Sequence, residues 1–173
     1  MENTTPSIKQ IATNHGLLLA LLTILMLVIM YVANLEKNWA LSIVSILVTI
    51  LIFISAIKTF KAANNGYLNL GEAIKVGLAT AAIGGIIGAV YTYLHYSFVY
   101  PEFIEIVLDT AREEILKQNP DMPQEQIDMA MSMSEKFSSP FMMATFSLIG
   151  SLFIGFIISI ITGLIMQKKD AIS

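Results

Sequence analysis

GEAIKVGLATAAIGGIIGAVYTYLHYS, residues 71–97, is the stretch around which the chain must be organised. At about 1.5 Å of rise per residue it makes a helix long enough to cross a bilayer. Its small residues are not scattered. Ala73, Gly77, Ala81, Gly85 and Ala89 recur at every fourth position, and Gly84 with Gly88 forms a GxxxG pair beside that stripe. Within lipid, where apolar side chains gain little by meeting one another, a small-residue stripe lets a second helix approach to backbone contact. A partner with the same spacing lies near the C-terminus, in Ser147, Ser151, Gly155, Ser159 and Gly163. These two helices are expected to pack directly on each other.

The composition agrees with a membrane setting: 55% of the 173 residues are hydrophobic and only 13% are charged, with a mean hydropathy of +0.72. The apolar residues fall into blocks that predict spans at about 16–34, 39–57, 72–97 and 140–166. Each matches a hydrocarbon layer of about 30 Å. Lipid offers no partners to backbone N–H and C=O groups, so a span must be a helix or part of a closed barrel. Runs this long and continuous predict helices, since barrel strands are short and alternating. The expected fold is an all-α membrane domain over 1–173, four helices in an antiparallel bundle with a helical hairpin between the third and fourth. There is no cysteine, which removes disulfide and thiol chemistry from these residues.

The net charge of −3 is unevenly placed. Glu102, Glu105, Asp109, Glu113, Glu114, Asp121, Glu125, Asp128 and Glu135 crowd one loop, whereas Lys58, Lys61 and Lys75 surround the loop after the second span and Lys168 and Lys169 follow the fourth. The positive-inside rule puts the lysine-bearing segments and both termini in the cytoplasm, and the loop at 98–139 outside.

Residues 1–14 read as a polar lead, and the run after them as a retained first span rather than a cleaved signal, because a tight polar turn, Asn34-Leu35-Glu36-Lys37-Asn38, leads straight into another span. Tyr31 and Trp39 beside that turn suit the outer interface. The hydroxyls of Ser42, Ser45, Thr49 and Ser55 can bond back to their own helix. Lys58 and Lys61 close the second helix at its negative dipole end. Asn64-Asn65-Gly66 supplies a turn. Asn69 and Glu72 have capping-box spacing, with Leu68 and Ala73 as a weak staple, so the third helix is predicted to begin at about 70, with Glu72 and Lys75 at the inner boundary.

The loop at about 101–138 is patterned. Ile104, Val107, Leu108, Ala111 and Ile115 share one helical face, and Glu105, Asp109, Arg112 and Glu113 take the others. Asn119-Pro120-Asp121 ends that helix, and a second is predicted from Met122-Pro123 to Phe137, with Ile127, Ala130, Met131 and Ser134 on its apolar side. The pair is expected to cap the bundle or to bind a partner. Ser139 as N-cap and Pro140 as first helical residue open the last span.

Candidate chemistry is sparse. Tyr91, Tyr93, His95, Tyr96 and Tyr100, closed by Pro101, read first as an interfacial aromatic belt. The sharper alternative makes His95 a proton or metal site that recruits Glu102. Met129, Met131 and Met133 alternate, but on a helix Met131 leaves the face the other two share, so packing is favoured over Cu(I) ligation. No ionisable residue falls in the middle of a span, which counts against ion-coupled transport. There is no HExxH, GxSxG or Walker loop, and no basic patch for nucleic acid. No enzyme activity and no cofactor are expected.

Tyr67-Leu-Asn-Leu-Gly-Glu-Ala-Ile-Lys-Val-Gly77, the Tyr-rich exit into Tyr100-Pro-Glu-Phe103, then Phe137-Ser-Ser-Pro140 and the striped last span ending at Lys168-Lys169 together resemble the membrane family catalogued as domain of unknown function 4199, typical of Bacteroidota. The resemblance covers nearly the whole chain and is strongest at Gly71, Glu72, Lys75 and Gly77. It implies a bacterial inner-membrane protein with four spans and transfers no catalytic residue. The function expected is contact with lipid and protein, including self-association. A small transporter or channel component with a polar path near Ser147, Ser151, Ser159 and Thr162 is the alternative, and extracytoplasmic metal handling a distant one.

Overall fold

The computed structural model describes residues 7–35 and 38–168. The first six residues of the polar lead, Glu36 and Lys37 of the turn between the first two spans, and Lys169 of the basic tail lie outside the described residues. Among those described there are six α-helices and no strand: α1 (Ile8–Ala33), α2 (Trp39–Ala63), α3 (Leu70–Leu94), α4 (Glu102–Gln118), α5 (Gln124–Phe137) and α6 (Pro140–Met166), with a π-helical turn over His95–Val99 extending α3. Four of them, α1, α2, α3 with its π turn, and α6, are long and apolar enough to cross a membrane. The chain is a multi-pass membrane protein.

Two boundaries differ from the hydropathy reading. The polar lead is helical from Ile8, because Ser7 caps it by accepting from the Gln10 N–H at 3.3 Å. Ile11 and Ala12 then fall on one face and are buried. At the other end of the hairpin-like pair, α2 runs to Ala63 rather than stopping near 57, since Phe53, Ala56, Ile57 and Phe60 continue one buried face at helical spacing.

The ends close as local chemistry requires. Asn34 takes the left-handed conformation (φ 50°) after α1, and the Leu35 N–H returns to the Met30 carbonyl at 2.9 Å, a Schellman closure. After α2, Asn65 (φ 52°) and Gly66 (φ 82°) make the corresponding turn, with the Gly66 N–H on the Lys61 carbonyl at 2.9 Å. The capping box of α3 is complete: the Glu72 N–H donates to Asn69 Oδ1 at 2.9 Å and the Asn69 N–H to Glu72 Oε2 at 2.8 Å.

The chain divides into two compact units, Met1–Gly88 with Ser147–Ser173, and Ala89–Phe146. The first has two apolar clusters. Ile11, Ala56, Ile57, Phe60, Leu68, Ala73 and Val76 form one, and Leu19, Phe53, Ala81 and Ile158 the other. Of the four long helices α3 is the most enclosed: half of its most apolar window is buried, against 17% for α1 and for α2. In the second unit α4 packs on α5 and on the π turn. The half-buried residues of α4 are Ile104, Val107, Leu108, Ala111 and Ile115 together with Phe103 and Thr110, and α5 buries Ile127 and half-buries Ala130, Met131 and Ser134.

Candidate functional site

The first unit is built on two seams along α3. On one, α3 meets α6 through small residues. A β-carbon placed on Gly77 would overlap the Ser159 hydroxyl, and the Gly155 carbonyl would be 3.3 Å away. One on Gly155 would come within 2.8 Å of the Ala81 β-carbon and 2.9 Å of the Phe53 ring. Gly163 faces Ala73 and Leu70, and Gly85 faces Ser151 and Leu148. Ser151 donates across the seam to the Ala81 carbonyl at 3.3 Å. Ser159 is fully buried and donates to the Gly155 carbonyl of its own helix, while Thr162 is buried beside it in sequence. Ser147 is half-buried at the edge of this unit, and Ala89, the last small residue of the α3 stripe, is buried within the second unit.

The other seam joins α3 to α1 and was not expected. A β-carbon on Gly84 would meet the Gly16 carbonyl at 2.7 Å, one on Gly16 would meet the Ile83 side chain at 2.9 Å, and Gly88 faces Thr23. The GxxxG pair thus serves α1. Its signal was present in the sequence: Ala12, Gly16 and Ala20 are small, four apart, and all buried.

Around the start of α3 the same unit is clasped by polar contacts. Lys61 reaches past its own helix and donates to the Met166 carbonyl at 2.7 Å, so its charge sits at the negative end of α6 rather than snorkelling at the end of α2. Leu68 and Lys168 exchange both backbone hydrogen bonds, at 3.0 and 2.9 Å. The Lys168 ammonium lies 5.4 Å from the centroid of the Tyr67 ring. Lys75 is exposed. Ser55 also departs from its expected local bond: its hydroxyl pairs with His15 Nε2 at 3.2 Å, while His15 Nδ1 lies 2.9 Å from the Ile11 carbonyl. That contact ties α1 to α2.

The second unit holds an aromatic nest. The α3 helix widens into its π turn, with the Tyr100 N–H on the His95 carbonyl at 2.8 Å. His95 is only 1% exposed, so its ring is packed by protein rather than presented outward. The extra residue of the π turn rotates the following side chains, and the His95 ring is packed by Tyr91 at 5.6 Å and, edge to face, by Tyr96 at 5.1 Å and Tyr100 at 6.4 Å. Phe103 of α4 stacks on Tyr96 at 4.8 Å. Tyr93 is exposed. Glu102, the carboxylate proposed to join His95, is exposed in the first turn of α4. Among the described residues no group of three or more His, Cys, Asp or Glu side chains could hold a metal ion. Met129 and Met133 are exposed and Met131 is half-buried, so the three sulfurs do not share a face.

Residues 14–168 match the model of a family described as protein of unknown function, DUF4199. No curated protein and no solved structure matches the chain.

Proposed function

Because the chain belongs to the DUF4199 family of unknown function and carries four helices long and apolar enough to cross a membrane, we propose that it is a non-enzymatic membrane protein that works through contacts with lipid and with other protein, a second copy of itself included. The four spans form an antiparallel bundle in the bacterial inner membrane, with both termini cytoplasmic and α4 and α5 as an extracytoplasmic helical hairpin. The pairing of Ala73 with Gly163, Ala81 with Gly155 and Gly85 with Ser151 descends one helix as it climbs the other, which supports the antiparallel arrangement. The lysines clustered about the α2–α3 connection and the carboxylates of α4 and α5 support the orientation.

The observation that carries a contact role over a transport role is the state of the hydroxyls where a polar path would run. Ser159 is buried against Gly77 and spends its proton on the Gly155 carbonyl, and Ser151 spends its own on the Ala81 carbonyl. A conducting path needs such groups turned toward water or a permeating species. Single cysteines at Ser151→Cys and Ser159→Cys, in a chain with no other cysteine, provide the test. In native membranes both are expected to resist charged thiol reagents applied from either side. Labelling at Ser159→Cys that a permeant solute blocks would contradict the contact role and favour transport.

A further inference from the structure

The α5 helix has a third face that neither α4 nor its charged side accounts for. Met129, Met133 and Phe137 follow one another at four-residue spacing and are 65%, 55% and 50% exposed. They lie apart from the face that buries Ile127 and from the acidic positions Asp128 and Glu135, with Glu125 one turn before Met129 at the polar end of the line. Three large apolar side chains in line, exposed on a helix otherwise polar toward solvent, call for a cover.

What covers them follows from where the stripe ends. Only Ser138 and Ser139 separate α5 from α6, and the Phe137 ring stacks on Phe146 with centroids 6.2 Å apart. Phe146 lies six residues into α6, about 9 Å along the span at about 1.5 Å per residue. It is 48% exposed, and Phe141, one turn nearer the start, is 68% exposed. These are outward-facing apolar residues of a membrane-spanning helix. The end of α5 therefore lies beside the first two turns of α6, at their depth, and its apolar stripe continues the lipid-facing surface of that helix. We propose that α5 is an interfacial helix, with Met129, Met133 and Phe137 immersed at the boundary between headgroups and acyl chains.

The occupant is lipid, taken up by apolar burial. Nine carboxylates against three cations, Arg112, Lys117 and Lys136, populate α4, α5 and their connection, so attraction to anionic headgroups is not the source of binding, unlike the common basic interfacial helix. The two methionines suit the place, since unbranched thioether side chains adapt to a disordered surface. The assignment rests on the lipid-contact reading above and names the segment that makes the contact.

The experiment attaches a nitroxide at single cysteines in the full chain, reconstituted in nanodiscs of zwitterionic phosphatidylcholine. The sites are Met133→Cys on the stripe, Ser132→Cys and Asp128→Cys on the polar side, and Phe153→Cys as a control on α6, where the native residue is 64% exposed. Collision with oxygen and with a water-soluble nickel chelate is read at each. The oxygen-to-nickel ratio at 133 is expected to be several-fold above that at 128 and 132 and to approach that at 153, with no increase when a third of the lipid is phosphatidylglycerol. A water-like ratio at 133 beside a lipid-like ratio at 153 would overturn the proposal and leave the lipid-contact reading standing. An immobilised label at 133 shielded from both reagents would overturn it in favour of a protein partner or a second copy. A water-like ratio at 153 as well would overturn both.

Discussion

At Gly77 a hydrogen in place of a methyl decides how near α6 can come. The space a β-carbon would need is already taken by the Ser159 hydroxyl, and at Gly155 it is taken by Ala81 and the Phe53 ring. Neither neighbour can retreat, because Ser159 and Phe53 are both fully buried. Gly150, on the same helix as Gly155, has nothing within 4 Å of where its β-carbon would be. Gly77→Ala and Gly155→Ala are therefore expected to destabilise the chain by about 1–3 kcal/mol, the usual range for overpacking. Gly150→Ala is expected to be neutral or to stabilise by up to about 1 kcal/mol through helix propensity. Thermal unfolding in a mild detergent ranks the three, and an equal response at all positions would remove the seam as the reason for the glycines. Bulkier changes, Gly85→Leu and Gly155→Leu, should disrupt the bundle altogether.

Among the elements, α6 depends on a residue of another helix. Its last carbonyls have no intrahelical partners, and the Lys61 ammonium bonds the one at Met166 while the Gln167 N–H closes back on Gly163 at 2.8 Å. Charge-assisted bonds of this kind contribute about 1.5–3 kcal/mol. Lys61→Met keeps the apolar stem and removes the donor. It should speed amide hydrogen exchange at Leu68 and Lys168, whose mutual backbone bonds lie next to it, while leaving the middle of α6 unchanged; unchanged protection at both amides would show the clasp to be idle.

The same elements show what a string of residues does and does not reveal. Ala73, Gly77, Ala81, Gly155 and Gly163 are legible as stripes because a period of four survives in one dimension, and so is the Asn69 and Glu72 box, whose members are three residues apart. Gly16 was equally regular with Ala12 and Ala20, but a hydropathy boundary drawn at residue 16 cut the stripe in half. The bond from Lys61 to Met166 joins residues 105 apart in sequence, and a local dipole argument had already given Lys61 a use. The burial of His95 was legible at helical spacing, since Gly85, Gly88, Thr92 and His95 continue one buried face, but the tyrosines around it drew the reading toward an interfacial belt. The π turn adds one residue to the repeat only beyond His95, so it is the side chains after it that helical spacing mislocates.

For the molecule as a whole, the exposed surface is the deciding fact. Leu51 is 64% exposed, Val32 70% and Ile165 78%, and Leu21, Leu25, Leu47 and Ile161 are each about half exposed. At about 25 cal/mol per Å² of apolar surface, leaving such residues in water would oppose a folded monomer, whereas hydrocarbon removes the cost. The enclosed α3 and the open faces of α1 and α2 belong to a protein whose solvent along four helices is lipid. Washing the membranes at high pH and carrying the chain through size-exclusion chromatography without detergent tests this directly. The chain is predicted to stay with the bilayer and, once stripped of lipid, to aggregate; a monodisperse, helical, cooperatively unfolding species in plain buffer would contradict it.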